Sequence, residues 1–146
     1  MATRDSYNTN KVQQVLKPLT RTGDATSDEI DMLGFESLLL VANVGTSGDT
    51  LSGSLKIEFE VQHSDTSGSN YAACADSDLL NAVTGTNTGC FAVIDASGED
   101  ASVYKTGYIG SKRFVKVVAN VTGTHTNGTP TSVTAIKGHA HVKPVV

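Results

Sequence analysis

The stretch Leu55-Lys56-Ile57-Glu58-Phe59-Glu60-Val61-Gln62 decides the fold. Leu55, Ile57, Phe59 and Val61 alternate strictly with Lys56, Glu58, Glu60 and Gln62. An extended chain points successive side chains to opposite faces. The apolar set therefore predicts a core face and the charged set a water-facing one, in a strand over residues 53–64. A slip of one residue would invert every side chain, so the register is firmly specified.

Working outward, Glu36 to Val44 (ESLLLVANV) is a continuous apolar run between Gly34 and Gly45. It reads as a strand covered on both faces. The Gly-Asp pair in the loop between the two strands, residues 45–52, suits a hairpin turn. Arg113 to Val121 (RFVKVVANV) predicts a third strong strand, and shorter ones are expected at 29–33, 71–75, 90–94, 103–109 and 132–137. Val12 to Leu19 is a first strand that Pro18 assigns to an edge or a bulge. Residues 76–83 allow one or two helical turns capped by Asp76 or Ser77. Turn-rich segments separate the strands at roughly ten to fifteen residues, too short for the helical crossovers of a parallel sheet. The expectation is all-β: an antiparallel sandwich or jelly roll of about eight short strands. One domain over 12–146, ending in a tail from His139, follows a flexible arm over residues 1–11.

Composition agrees. Among 146 residues, Thr (18) and Ser (14) outnumber the 26 charged residues, and Gly adds 14. Helical bundles and coiled coils need Ala, Glu, Lys and Leu to dominate. The net charge of −4 provides no basic field for nucleic acid. The longest apolar run, Leu38 to Ala42, is far short of the roughly 20 residues that span a bilayer. The first residues carry no secretory pattern, so synthesis in a cytoplasm is expected. There Cys74 and Cys90 are expected as two small buried thiols; a disulfide would require an extracellular setting.

Candidate chemistry is thin, and neither catalysis nor a cofactor is expected. Asp65-Thr66-Ser67-Gly68 departs from the Asp-Thr-Gly of aspartic proteases by one inserted Ser and reads as a turn. His139 and His141 would share a strand face, but two imidazoles without a third ligand make a weak zinc site; a tail or interface role is the expectation. Asp76, Asp78 and the loop 95–100 lack calcium-loop spacing. Glu58 and Glu60, on an outward face, lack the pocket that an acid–base pair needs. Lys112, Arg113 and Lys116 form the one basic cluster. A small nucleic-acid patch is disfavoured by the net negative charge and the lack of interleaved exposed aromatics. The ordinary alternative is that Lys112 and Arg113 pair with acidic loops or with an acidic neighbour subunit.

The segment Thr106-Gly107-Tyr108-Ile109-Gly110-Ser111-Lys112-Arg113-Phe114-Val115-Lys116-Val117-Val118 resembles a stretch, GYIG-x-KR-aromatic-hydrophobic-basic-Val-Val, of small structural proteins of tailed bacteriophages and related prophages. Gly34-Phe35-Glu36-Ser37 is similar to the GYES of that family. Glu58 to Asp65 is similar to its x-E-SD strand end, and Lys137-Gly138-His139-Ala140-His141 with Pro144 to its RGHPH-x-x-P tail. The likeness runs from about residue 5 to 144. Phe35, Phe114 and Lys116 stand where Tyr, Tyr and Arg are common.

The resemblance implies a virion protein, made in the host cytoplasm and placed on the capsid exterior. Its expected role is decoration, or cement, on the outer face of the major capsid protein lattice. A homo-oligomer is implied, with a trimer favoured, and neither nucleic acid nor membrane is an expected partner. Contacts are expected from the arm (Arg4, Tyr7, Lys11), from Tyr108, Lys112 and Arg113, and from His139 and His141. For Tyr108-Ile109-Gly110 the simpler account is a tight turn that needs Gly. The alternatives are a head–tail connector, tail or head-spike protein, and, more distantly, a carbohydrate-binding module. The absence of Trp and 5% aromatic content disfavour the module, since sugar faces stack on exposed rings.

Overall fold

Ten strands make up the described residues, 4–83 and 87–145, of the computed structural model. They are β1 (Lys11–Arg21), β2 (Ala25–Thr26), β3 (Ile30–Asp31), β4 (Phe35–Val44), β5 (Lys56–Ser64), β6 (Ala72–Ala73), β7 (Cys90–Ile94), β8 (Ser102–Tyr108), β9 (Phe114–Thr122) and β10 (Thr129–Ala140). One antiparallel sheet has the order β1-β10-β4-β8. In the other, β9 pairs with β5; β2 and β3 share the far edge of β9, and β6 and β7 share the far edge of β5. Each sheet therefore has four strand positions. Six of the nine connections cross from one sheet to the other, and the two antiparallel sheets form a β-sandwich.

The alternation in β5 holds for its apolar side. Ile57, Phe59 and Val61 are fully buried, facing Leu40, Ala42, Val133 and Ala135 of the opposite sheet across one core. The Phe59 and Phe91 rings meet at 5.9 Å. Large side chains interdigitating between two sheets provide most of the stabilisation of such a fold. The polar side differs from expectation at Glu58, which is only 4% exposed. Lys56 Nζ lies 3.3 Å from one of its carboxylate oxygens, and Asn87 donates to the other. A flanking loop covers this carboxylate, which strand periodicity does not report.

β4 also departs from expectation. Its burial alternates, with Leu38, Leu40, Ala42 and Val44 buried and Leu39 and Val41 half-exposed. Among the described residues no second layer covers its outer face, so the apolar run does not mark a strand buried on both sides. The segment 45–52 is not a hairpin. β4 and β5 lie in different sheets, and the segment is a crossover held by Asp49. That carboxylate accepts backbone N–H bonds from Asn127 and Gly128, and Gly45 N–H donates to Pro130 O at 2.7 Å.

β1 pairs only with β10 and has register shifts between Gln14 and Leu16 and between Leu16 and Leu19, as Pro18 implied. Lys11 belongs to this strand rather than to the preceding arm. Residues 1–3 of the arm and 84–86 of the expected loop lie outside the described residues. In the arm, the Asp5 carboxylate accepts the N–H groups of Tyr7 and Asn8, and Val145 N–H donates to Asn8 O. Asn8 and Val145 thus lie together. The expected helical turns shrink to a 3-10 turn at Asp76–Asp78 with Ala75 as its N-cap. Asp76 instead accepts Gly89 N–H. Cys74 and Cys90 are buried thiols not joined in a disulfide, and burial pushes the Cys74 thiol up to about 12.

Candidate functional site

The four segments that carry the family resemblance meet at one end of the sandwich. The β4–β8 pairing sets Leu38 opposite Tyr108, and the β4–β10 pairing sets Leu38 opposite Lys137. From there the side chains interlock. Glu36 lies 3.0 Å from His141 Nε2, and Ser37 Oγ 2.8 Å from His139 Nδ1. The Lys137 ammonium sits 4.7 Å above the Phe35 ring and donates to Asp31 O at 2.9 Å. His63 Nδ1 reaches the Tyr108 hydroxyl, and Lys112 forms an ion pair with Asp65.

Between the β3–β4 turn and the β8–β9 loop this end carries a groove of about 630 Å³. Leu33 and Ile109, both mostly exposed, flank it, and Glu36, Lys112, Arg113 and His141 provide its polar lining. The β3–β4 turn needs Gly34, whose φ of +84° is one that side-chain-bearing residues rarely adopt. In the β8–β9 loop, a Cβ on Gly110 would come within 2.5 Å of the Tyr108 hydroxyl. The loop therefore folds back on the Tyr108 ring.

The cations of this loop are paired within the molecule. Arg113 makes two 2.8 Å bonds to the Asp31 carboxylate and lies 4.8 Å over the Phe114 ring. This fork holds Asp31 below its ordinary value and raises Arg113. Lys116 stacks 4.4 Å over Tyr71, whose hydroxyl donates to Glu29. The expectation that Lys112 and Arg113 pair with acidic loops is met for Lys112 by Asp65, whereas Arg113 pairs with Asp31 of strand β3.

Tyr108 requires a correction as a surface contact. It is 5% exposed, and burial pushes its hydroxyl up to about 12. It organises the loop, accepting Lys112 N–H at 3.2 Å, and the exposed apolar residue beside it is Ile109. His139 and His141 do not share a face. His139 has φ +51°, which breaks the alternation, and the two imidazoles bond to consecutive residues of β4. Among the described residues, no group of three or more His, Cys, Asp or Glu could hold a metal ion. Arg4 and Tyr7 are exposed in the arm, which the bond from Val145 to Asn8 ties to the tail following His141. Lys11 pairs in register with Lys137.

The chain matches no protein-family model and no curated protein. Sequence reasoning missed Leu33 and Leu80 as site residues. Leu33 closes an expected strand and Leu80 lies in expected helical turns, which gives no sign that either is exposed, and the end groove is lined by both.

Proposed function

We propose that this protein is a structural component of a tailed-bacteriophage virion, decorating the capsid by binding the outer face of the major capsid protein lattice. The observation that carries the reading is the convergence of four sequence-distant segments, those of the family resemblance, on one grooved end of the sandwich. Hydrogen bonds and ion pairs fix that end, which suits repeated docking with little ordering cost. A closed homo-oligomer, with a trimer favoured, would multiply a modest interface into a tight attachment on a repetitive shell. The reading places the partner among proteins, with neither nucleic acid nor membrane.

Copy number per particle tests it, by quantitative mass spectrometry of purified virions against the major capsid protein. A ratio near one per capsid subunit, or a simple fraction of it, is expected. A handful of copies would assign the protein to a connector, tail or spike. Absence from the particle would overturn the structural role. Particles lacking the protein should assemble yet release DNA on milder heating than complete ones.

A further inference from the structure

We propose that the outward face of the β1-β10-β4-β8 sheet is a docking face for a protein surface with an apolar centre and an acidic rim. Cross-strand partners in an antiparallel ladder share a face. Val12 pairs with Ile136, Ile136 with Leu39, and Leu39 with Gly107. These positions form one aliphatic row across the whole sheet, on the side away from Leu38, Leu40 and Ala135 of the core. Leu80 completes it, lying so close over Gly107 that a Cβ there would come within 2.6 Å of its Cδ1. Val12 is 64% and Leu80 71% exposed, and a groove of about 640 Å³ follows the row. The next rows, Gln14-Thr134-Val41-Lys105 and Ser132-Asn43-Val103, hold no carboxylate.

Charge identifies the partner. On the outward side Lys105 shares the row of Val41, and the rows around it hold no carboxylate in a chain of 11 cations and 15 carboxylates. Lys11 and Arg21, in register with Lys137 and the buried Thr129, belong to the core-facing rows. Lys17 on β1 and Lys105 on β8 are exposed, one on each edge strand. An aliphatic centre between basic edges complements an apolar patch rimmed by Asp and Glu. A nucleic acid would want rings on which to stack bases, and the row has none.

The inference rests on the proposed function, with the capsid shell as the partner. The test measures binding to shells assembled without this protein, using wild type, Leu39→Glu, Lys105→Glu and Ala73→Glu. The last adds the same charge to the exposed strand β6 of the other sheet. Wild type and Ala73→Glu should bind alike, and Leu39→Glu and Lys105→Glu should each bind at least about tenfold more weakly, as expected when an interface centre or a complementary charge is reversed. Lys105→Glu lies on the surface and keeps the test valid if Leu39→Glu misfolds. If all variants bind like wild type, the face is overturned and the capsid reading stands. If wild type binds no shell, the capsid reading falls, and the face is decided by retention on a carboxymethyl matrix at pH 7 and low salt. Despite its net charge of −4, wild type should be held there and Lys17→Glu/Lys105→Glu should pass through; wild type in the flow-through overturns the face. A wild-type oligomer that Leu39→Glu dissolves would give the face to a second copy and overturn the proposal.

Discussion

The Tyr108 hydroxyl lies 2.8 Å from His63 Nδ1, and the two rings meet edge to face at 84°. This contact ties β5 of one sheet to β8 of the other at the end where the groove opens. The same hydroxyl accepts Lys112 N–H. Tyr108→Phe should therefore cost about 1 kcal/mol, the usual worth of a lost buried hydrogen bond. Gly110→Ala should cost more, about 1–3 kcal/mol, because the new methyl group overlaps the ring. Urea unfolding of the two variants checks the order.

Acid should unfold the protein through its paired carboxylates. Asp31, held by Arg113, and Glu29, held first by Tyr71 and then by Ser67 and Gly68, both lie below their ordinary values of 3.8 and 4.5. A depressed value means that the unfolded chain takes up protons first. The stabilisation is complete above pH 4.5 and is lost as pH falls through the folded values. Arg113→Ala should flatten the acid limb of a plot of Tm against pH. At neutral pH its cost should be small, because the pair is half-exposed and screened by solvent.

Both thiols should resist alkylation in the folded protein at pH 8. Cys74 is fully buried and its thiol is pushed up to about 12, so almost no thiolate is present. Mass spectrometry should find neither cysteine labelled in buffer and both labelled in denaturant. Rapid labelling of Cys74 in buffer would contradict the packing around it.

The Asp49 carboxylate pins the Gly128 N–H at 2.7 Å, next to Asn127. That N–H belongs to the nitrogen that must attack the Asn127 side chain in deamidation. Asp49→Ala should speed hydrogen exchange at Gly128 and allow isoaspartate to accumulate at Asn127, read by peptide mapping. An unchanged rate would mean that the loop is held by other bonds.

Phe59 is fully buried against Phe91 at the centre of the sandwich. Phe59→Ala should cost about 3–5 kcal/mol, the range for an aromatic cavity in a core. Thermal unfolding measures it.

The sequence by itself determined the strands and their inward faces, because backbone alternation is local: Ile57, Phe59 and Val61 could pack only on one side. It also restricted β1 to an edge or a bulge, since Pro18 lacks a ladder donor. The pairing of Lys112 with an acidic loop was legible as a class, but its partner Asp65 lies 47 residues away, and Arg113 pairs instead with Asp31 of strand β3, 82 residues away. Only the tertiary structure decided which sheet each strand joins, because crossover geometry depends on loops such as 45–52 docking on residues 126–128. It alone decided that Glu58 is buried, that β4 leaves Leu39 uncovered, and that Tyr108 faces inward. Those outcomes depend on what lies above each face, a property of neighbours distant in sequence rather than of the strand's own residues.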